Sequence, residues 1–234
     1  MLLNYFKVAV RSLLKNKFYT LINVIGLAIG VACCLLIMIF VIDEISYDRY
    51  HVKAERIYRM GFTGMLGGNE FTGAQVGAPV KNALINDFPE VEDVTRFRQR
   101  GSFLVRYQTE TFKEEDIVFV DGNVFETFSF DLIQGNAATA LMEPNSMVIT
   151  PTIAKKYWGD DDPLGKQVIL DNKTEYKITG VMEEIPRNTH FNFDIFLSME
   201  SLEESRSDQW MSFNYQTYIV LREESSPEEL EGKF

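Results

Sequence analysis

Twenty-five consecutive residues, 18–42, carry no formal charge, and that stretch limits the folds open to the whole chain. As a helix it would be roughly 38 Å long, longer than the ~30 Å hydrocarbon layer of a bilayer. Fourteen of the 22 residues over 21–42 are Leu, Ile, Val or Phe. At about −0.3 to −0.6 kcal/mol each on an insertion scale, they favour entry into lipid by several kcal/mol. A core helix of that length usually keeps a polar stripe. A cleaved leader has a shorter apolar run followed by a small-residue cleavage site, whereas this chain passes straight to Ile42-Asp43-Glu44. Residues 18–42 therefore read as one transmembrane helix.

The charges around it set a direction. Residues 1–20 carry Lys7, Arg11, Lys15 and Lys17 and no acid, while Asp43, Glu44 and Asp48 follow the span. The excess of bases on one flank predicts a cytoplasmic N-terminus and an extracytoplasmic domain over 43–234. The formal net charge is −11; with +4 in the first twenty residues, the remainder holds 19 bases against 34 acids, or −15. A domain that acidic lacks the basic face needed to neutralise phosphates, which argues against a nucleic-acid partner.

Ahead of the span, Asn4, Lys7, Arg11 and Lys15 fall within about 80° on a helical wheel, opposite Leu2, Leu3, Phe6, Ala9, Val10, Leu13 and Leu14. A basic stripe beside a bulky apolar face predicts a cytoplasmic amphipathic helix over 1–17, lying on the anionic inner leaflet of the bilayer. Within the span, Gly26 and Gly30 share one face, with Ala32 and Cys33 nearby, and two glycines four apart let a second helix approach closely. Cys33 and Cys34 are helix neighbours that point apart and cannot pair comfortably; they read as small apolar fillers. The outer domain then has no cysteine and depends on its core alone.

That domain reads as α+β. Strands are expected at 56–62, 91–99, 103–108, 117–120, 146–150, 168–170, 176–182, 194–199 and 214–222, from short apolar or alternating runs. Helices are expected at 74–88, 124–130, from Pro151 through Tyr157, near 200–207, and from Ser226-Pro227, where serine can cap and proline opens the first turn. Asp171-Asn172-Lys173 is a turn. The sequence stops soon after Ser226-Pro227, so the chain looks like part of a longer one.

Chemical signatures are sparse. No Gly-x-x-x-x-Gly-Lys-Ser/Thr loop is present; Gly165-Lys166-Gln167 lacks the upstream glycine and the hydroxyl. His51 and His190 are the two imidazoles, neither at metal-ligand spacing from another histidine or a cysteine. His190 lies near Asp194 and Ser198 in sequence, but no nucleophile-elbow motif supports a triad, and a histidine held in a turn is the simpler reading. Asp160, Asp161 and Asp162 lack the spaced ligands and closing glutamate of a calcium loop. No catalytic, cofactor or metal residue is therefore assigned.

Several motifs carry a family likeness. Asn4-Tyr5-Phe6-Lys7, then Arg11-Ser12-Leu13-Leu14-Lys15-Asn16-Lys17 and Leu21-Ile22-Asn23-Val24-Ile25-Gly26, resemble the start of MacB/FtsX-like ABC-transporter permeases. Asp43-Glu44-Ile45-Ser46-Tyr47-Asp48-Arg49-Tyr50-His51, followed by Arg56-Ile57-Tyr58-Arg59, is similar to the segment after their first span. Ser146-Met147-Val148-Ile149-Thr150, Ala154-Lys155-Lys156-Tyr157-Trp158-Gly159, Asp162-Pro163-Leu164-Gly165-Lys166, Ile178-Thr179-Gly180-Val181, His190-Phe191 and Asn214-Tyr215-Gln216-Thr217-Tyr218 resemble their periplasmic core domain.

The resemblance implies a permease subunit in the cell inner membrane, with three further spans after the outer domain, paired with a second permease copy. A separate ABC ATPase subunit would hydrolyse ATP, so the chain itself would not be an enzyme. A periplasmic adaptor or lipoprotein would meet the outer domain. It also implies a mechanical role, with a lever expected to stay helical from Gly30 through Asp43 to Tyr50. The alternative is a single-span sensor or receptor whose outer domain binds a ligand; a membrane-tethered hydrolase is disfavoured by the missing nucleophile and base.

Overall fold

The computed structural model describes residues 2–234; Met1 and the side chains of Leu2, Leu3 and Leu66, two of them assigned above to the apolar face of the first helix, lie outside that description. The chain divides into two units, residues 1–47 and 48–234.

The first unit is helical. Helix α1 spans Leu2–Lys15 and helix α2 spans Lys17–Ile45. The 29 residues of α2 span about 43 Å, and among the described residues it is the one helix long and apolar enough to cross a membrane. No residue of α2 is buried. Water would oppose that much exposed apolar surface, and lipid removes the penalty.

The expected lever does not remain helical to Tyr50. Helix α2 stops at Ile45, where the Ser46 amide bonds to the Ile42 and Asp43 carbonyls and the Ser46 hydroxyl donates to Asp43 at 2.8 Å. Asp48 then takes a left-handed conformation, φ 59°, which an aspartate tolerates but a helix cannot contain.

The second unit is α+β, built on a mixed sheet. Its strands are β1 (Ile57–Arg59), β4 (Val91–Arg98), β5 (Phe103–Tyr107), β6 (Glu110–Glu114), β7 (Ile117–Val120), β8 (Leu132–Gly135), β9 (Ser146–Ile149), β10 (Gln167–Leu170), β11 (Thr174–Met182), β12 (Ile195–Ser198) and β13 (Gln216–Leu221). The order is β1-β13-β4-β7-β12-β9-β11-β10-β5-β6, with β8 added beside β11. The β7–β12 and β9–β11 pairs are parallel and the others antiparallel. A separate hairpin joins β2 (Phe62–Leu66) to β3 (Asn69–Gly73), turning at Gly67 and Gly68, both at positive φ, where glycine escapes the Cβ clash.

Both faces of the central strands are covered. On one face Ile117, Phe119, Met147, Ile149, Ile195 and Leu197 pack with helix α5 (Pro151–Trp158) through Ile153, Tyr157 and Trp158. On the other, Val118, Val120, Val148 and Phe196 pack with helix α4 (Val124–Thr127), Phe128, Phe130 and Phe191. Strands buried on both sides read as continuous apolar runs, which is why these were visible in the sequence. A third cluster seats helices α3 (Val80–Asp87) and α6 (Pro227–Glu231) on Val91, Val94, Ile219 and Leu221.

Helix α5 begins as its sequence predicts. Thr150 is the cap, its hydroxyl accepting from the Ile153 amide at 3.5 Å, and Pro151 occupies the first turn. Thr150→Ala should cost about 1 kcal/mol, read as a fall in Tm of roughly 2–4 °C; an unchanged melting curve would show that the cap is not used.

Four expected elements differ. The first strand is short, β1, and residue 62 instead starts the hairpin. The helix expected at 74–88 begins at Val80, because Val76 is bonded through its backbone to Tyr215 (amide to carbonyl 2.9 Å, return bond 3.1 Å) and Pro79 then caps the helix. The short helix at 124–130 ends at Thr127, and 128–130 is not helical. Residues 200–207 form two 3-10 turns.

Candidate functional site

The feature that sets this domain apart is its own first segment. Residues 48–53 are strapped across the domain, and the two histidines are the buckles. The Asp48 amide donates to the Asn188 carbonyl at 2.9 Å. The Asp48 carboxylate accepts from the Thr189 hydroxyl at 2.5 Å and the His190 amide at 3.1 Å, and pairs with His190 Nδ1 at 2.8 Å. His190 Nε2 in turn meets the Tyr218 hydroxyl at 2.6 Å, on β13. Partial burial alone would raise the Asp48 pKa; the bonds from Thr189 and His190 outweigh it and hold the carboxyl below its usual range.

Three residues on, His51 is 95 % buried. Its ring lies 3.9 Å from that of Tyr50 and meets Phe128, Phe130 and Phe191 edge-on at 5.1, 5.4 and 5.9 Å between centroids. Nδ1 accepts the Ser129 backbone N–H at 3.1 Å, and the Val52 amide donates back to the Ser129 hydroxyl at 2.9 Å. Burial pushes the His51 pKa down to about 4, with the Asp48 charge opposing.

Asp48, His190 and Tyr218 are in line, but the chain of contacts is suited to holding. A nucleophile needs an activated, lowered pKa, and burial drives the Tyr218 hydroxyl up to about 12, with Arg59 opposing. The triad considered from the sequence is not assembled: His190 turns to Asp48 and Tyr218, the buried Ser198 hydroxyl donates to the Leu141 carbonyl at 2.8 Å, and Asp194 meets Thr150. Asp161 and Asp162 are tied up locally, the first to Lys166 and the second to the Leu164 amide. A Cβ built at Gly26 or Gly30 would meet nothing within 4 Å, so in this chain alone both positions are open.

Sequence reasoning named none of Asp48, Thr189, Ser129 or Tyr218 as a site. A signal was present: the strap unites three motifs quoted above, the segment ending at His51, His190-Phe191, and the one ending at Tyr218. Only their meeting point was hidden.

A long apolar N-terminal helix, joined within three residues to a mixed-sheet domain, defines a membrane-anchored protein with an extracytoplasmic domain. The chain belongs to the family of the MacB-like periplasmic core domain, whose model matches residues 20–234. Among solved structures, it is similar to a domain from Porphyromonas gingivalis described as part of a permease protein, with TM-score 0.71 and 24 % identity over 78 % of this chain and 80 % of that one. It is similar to the periplasmic region of MacB from Actinobacillus actinomycetemcomitans, with TM-score 0.56 and 14 % identity over 76 % and 80 % of the two chains. The extracellular domain of the noncanonic ABC-type transporter YknZ from Gram-positive bacteria gives TM-score 0.53 and 17 % identity over 75 % and 87 %. At these identities the structures speak for the fold alone. A search of curated proteins found no match. The family is that of an ABC-transporter permease domain, which is not by itself a catalytic domain.

Proposed function

We propose that this chain is part of a permease subunit of a MacB/FtsX-type ABC transporter, and that it carries ATP-driven motion of a separate ATPase across the membrane to the outer domain, for export or mechanical signalling. The observation that carries the proposal is the strap. A membrane helix can displace a domain only if the first residues of the domain are fastened to its interior. Asp48 and His51 are fastened, the one to Thr189 and His190, the other to Ser129. Only Ser46 and Tyr47 separate the last residue of α2 from Asp48.

In this proposal the N-terminus is cytoplasmic, the membrane is the cell inner membrane, and α1 lies on the inner leaflet through its apolar face. The span over 18–42 crosses the bilayer, and Gly26 and Gly30 pack against a second permease copy. The ATPase binds beneath, and the domain meets a periplasmic adaptor or a lipoprotein outside. ATP is hydrolysed on the partner, not on this chain.

Inserting Gly-Gly-Ser-Gly-Gly-Ser between Ile45 and Ser46, in the transporter assembled with its ATPase, should leave ATP hydrolysis intact and take export to near background. A flexible insert of that kind transmits little force. Export continuing at the parental rate would remove the mechanical reading.

A further inference from the structure

We propose that His51 is a proton-operated latch: acidification outside the membrane releases the His51–Val52 end of the strap while Asp48 stays fastened. Its consequence for transport rests on the function proposed above, but the latch itself does not.

The argument begins with which nitrogen can hold a proton. His51 Nδ1 accepts a backbone N–H, from Ser129 at 3.1 Å, so the neutral ring carries its single proton on Nε2. A second proton must enter at Nδ1. It would turn the acceptor into a donor facing another donor, and it would place a charge in a pocket walled by Phe128, Phe130 and Phe191. Nε2, buried and without a hydrogen-bond partner among the described residues, offers the charge no compensation. The protonated ring therefore fits only outside its pocket. When it leaves, the neighbouring Val52–Ser129 bond loses its support.

The other charges around the ring do not rescue it. Asp48 attracts a cation at His51, but its oxygens are already engaged by Thr189 and His190. His190 repels one. Arg59, on β1, lines the same pocket together with Tyr218 and adds positive charge. The Tyr50 hydroxyl, held neutral by burial, contributes no counter-charge.

His190 behaves in the opposite way. Neutral, it donates from Nδ1 to Asp48 and accepts from Tyr218 at Nε2; charged, it donates to both, and the Tyr218 hydroxyl rotates to accept. Its bonds survive either state, and the pair with Asp48 gains strength on protonation. Acid thus opens one buckle and tightens the other.

The window follows from the two states of His51. Strapped, it binds a proton only near pH 4; freed into water it does so near pH 6.5. Above 6.5 neither form is charged and the strap is closed. As pH falls from 6.5 to 4 only the open form gains the proton, so opening is favoured about tenfold per pH unit, roughly two orders of magnitude in all.

The test uses the full chain in lipid nanodiscs. Amide hydrogen exchange in 50–53 and 128–130, expressed as protection factors, is followed from pH 7.5 to 4.5, and the two histidine rings are titrated by NMR. Protection should fall by at least tenfold in the parent, in step with the His51 ring. His51→Gln retains an acceptor but cannot titrate, and its protection should be flat with pH. His51→Phe fills the pocket and should also be flat at 50–53. His190→Gln should keep the acid response. Constant protection in the parent would overturn the latch, and so would acid opening that persists in either His51 variant. An intact latch combined with normal export in the Ile45/Ser46 insertion would instead overturn the mechanical reading alone.

Discussion

Arg96→Met should destabilise the outer domain by about 3–5 kcal/mol, a fall in Tm of roughly 6–20 °C for a domain of this size. Arg96 and Asp121 are both buried, 7 % and 4 % exposed. The guanidinium grips the carboxylate at 2.9 and 3.0 Å from two nitrogens, and the Arg96 backbone amide adds a third bond at 2.8 Å. The same side chain donates to the Ser205 carbonyl at 2.9 Å and the Ala78 carbonyl at 3.3 Å, so it ties β4 to the segments before α3 and after the 3-10 turns.

Removing Arg96 alone strands the carboxylate, with the Lys81 ammonium at 3.1 Å and the Arg96 backbone amide as its remaining support. Adding Asp121→Leu should recover most of the loss, because two apolar side chains need no counter-charge. Melting of the full chain, followed by circular dichroism, reads both; an unchanged Tm in Arg96→Met would refute the assignment. The pH dependence has a definite sign. Burial alone would raise Asp121, but the Arg96 hydrogen bonds, then the Lys81 and Arg96 charges, hold it below its ordinary value. A carboxyl lowered in the folded state contributes stability above its unfolded pKa of about 3.9. That contribution is lost as pH falls through the lower, folded value. This pair therefore holds through the range in which His51 is expected to release, and acid should open the strap before it threatens this part of the fold.

Phe97→Ala should cost a similar amount, about 3–5 kcal/mol, by the loss of buried ring surface and the cavity left behind. Phe97 is fully buried and sits at the hub of an aromatic cluster, its centroid 5.0 Å from Phe191, 5.4 Å from Phe128 and 5.5 Å from Tyr218. Phe128 and Phe191 are walls of the His51 pocket, and Tyr218 is the partner of His190. The substitution should therefore do two things at once: lower Tm and raise hydrogen exchange across 50–53 at neutral pH. Phe97→Leu, which leaves a smaller void, should show both effects in weaker form. Loss of stability without any change at the strap would separate the core from the latch and show that the cluster does not support the buckles.

The strap changes the mechanical picture that a continuous helix suggested. Force leaving α2 passes through Ser46 and Tyr47 and then enters the domain at Asp48, whose carboxylate is bonded to a loop 141 and 142 residues further along. Stiffness at that point comes from side-chain bonds across the fold, and a connection made of hydrogen bonds can be regulated by protons where a helix cannot.

What the amino-acid sequence determined by itself was whatever depends on neighbours along the chain. The span follows from summed transfer free energies over 18–42. The start of α5 follows from Thr150-Pro151, the turn after β10 from Asp171 and Asn172, both at positive φ, and the central strands from apolar runs at 117–120 and 146–149. Where local signal failed, the residues were those whose structure is chosen by distant partners. Strand β6 reads Glu-Thr-Phe-Lys-Glu, polar because it lies at the sheet edge. Strand β8 ends at Gly135, which packs so closely on Thr179 that an added Cβ would lie 2.6 Å from its carbonyl oxygen. Residues 74–79 have helical neighbours but pair instead with Tyr215.

The strap is the extreme case. His51 and Ser129 are 78 residues apart, and Asp48 and His190 are 142 apart, so no periodicity links them. Tertiary structure alone decided that two ordinary histidines should become a fastening, because the free energy that selects their partners exists only after the sheet has brought those residues together.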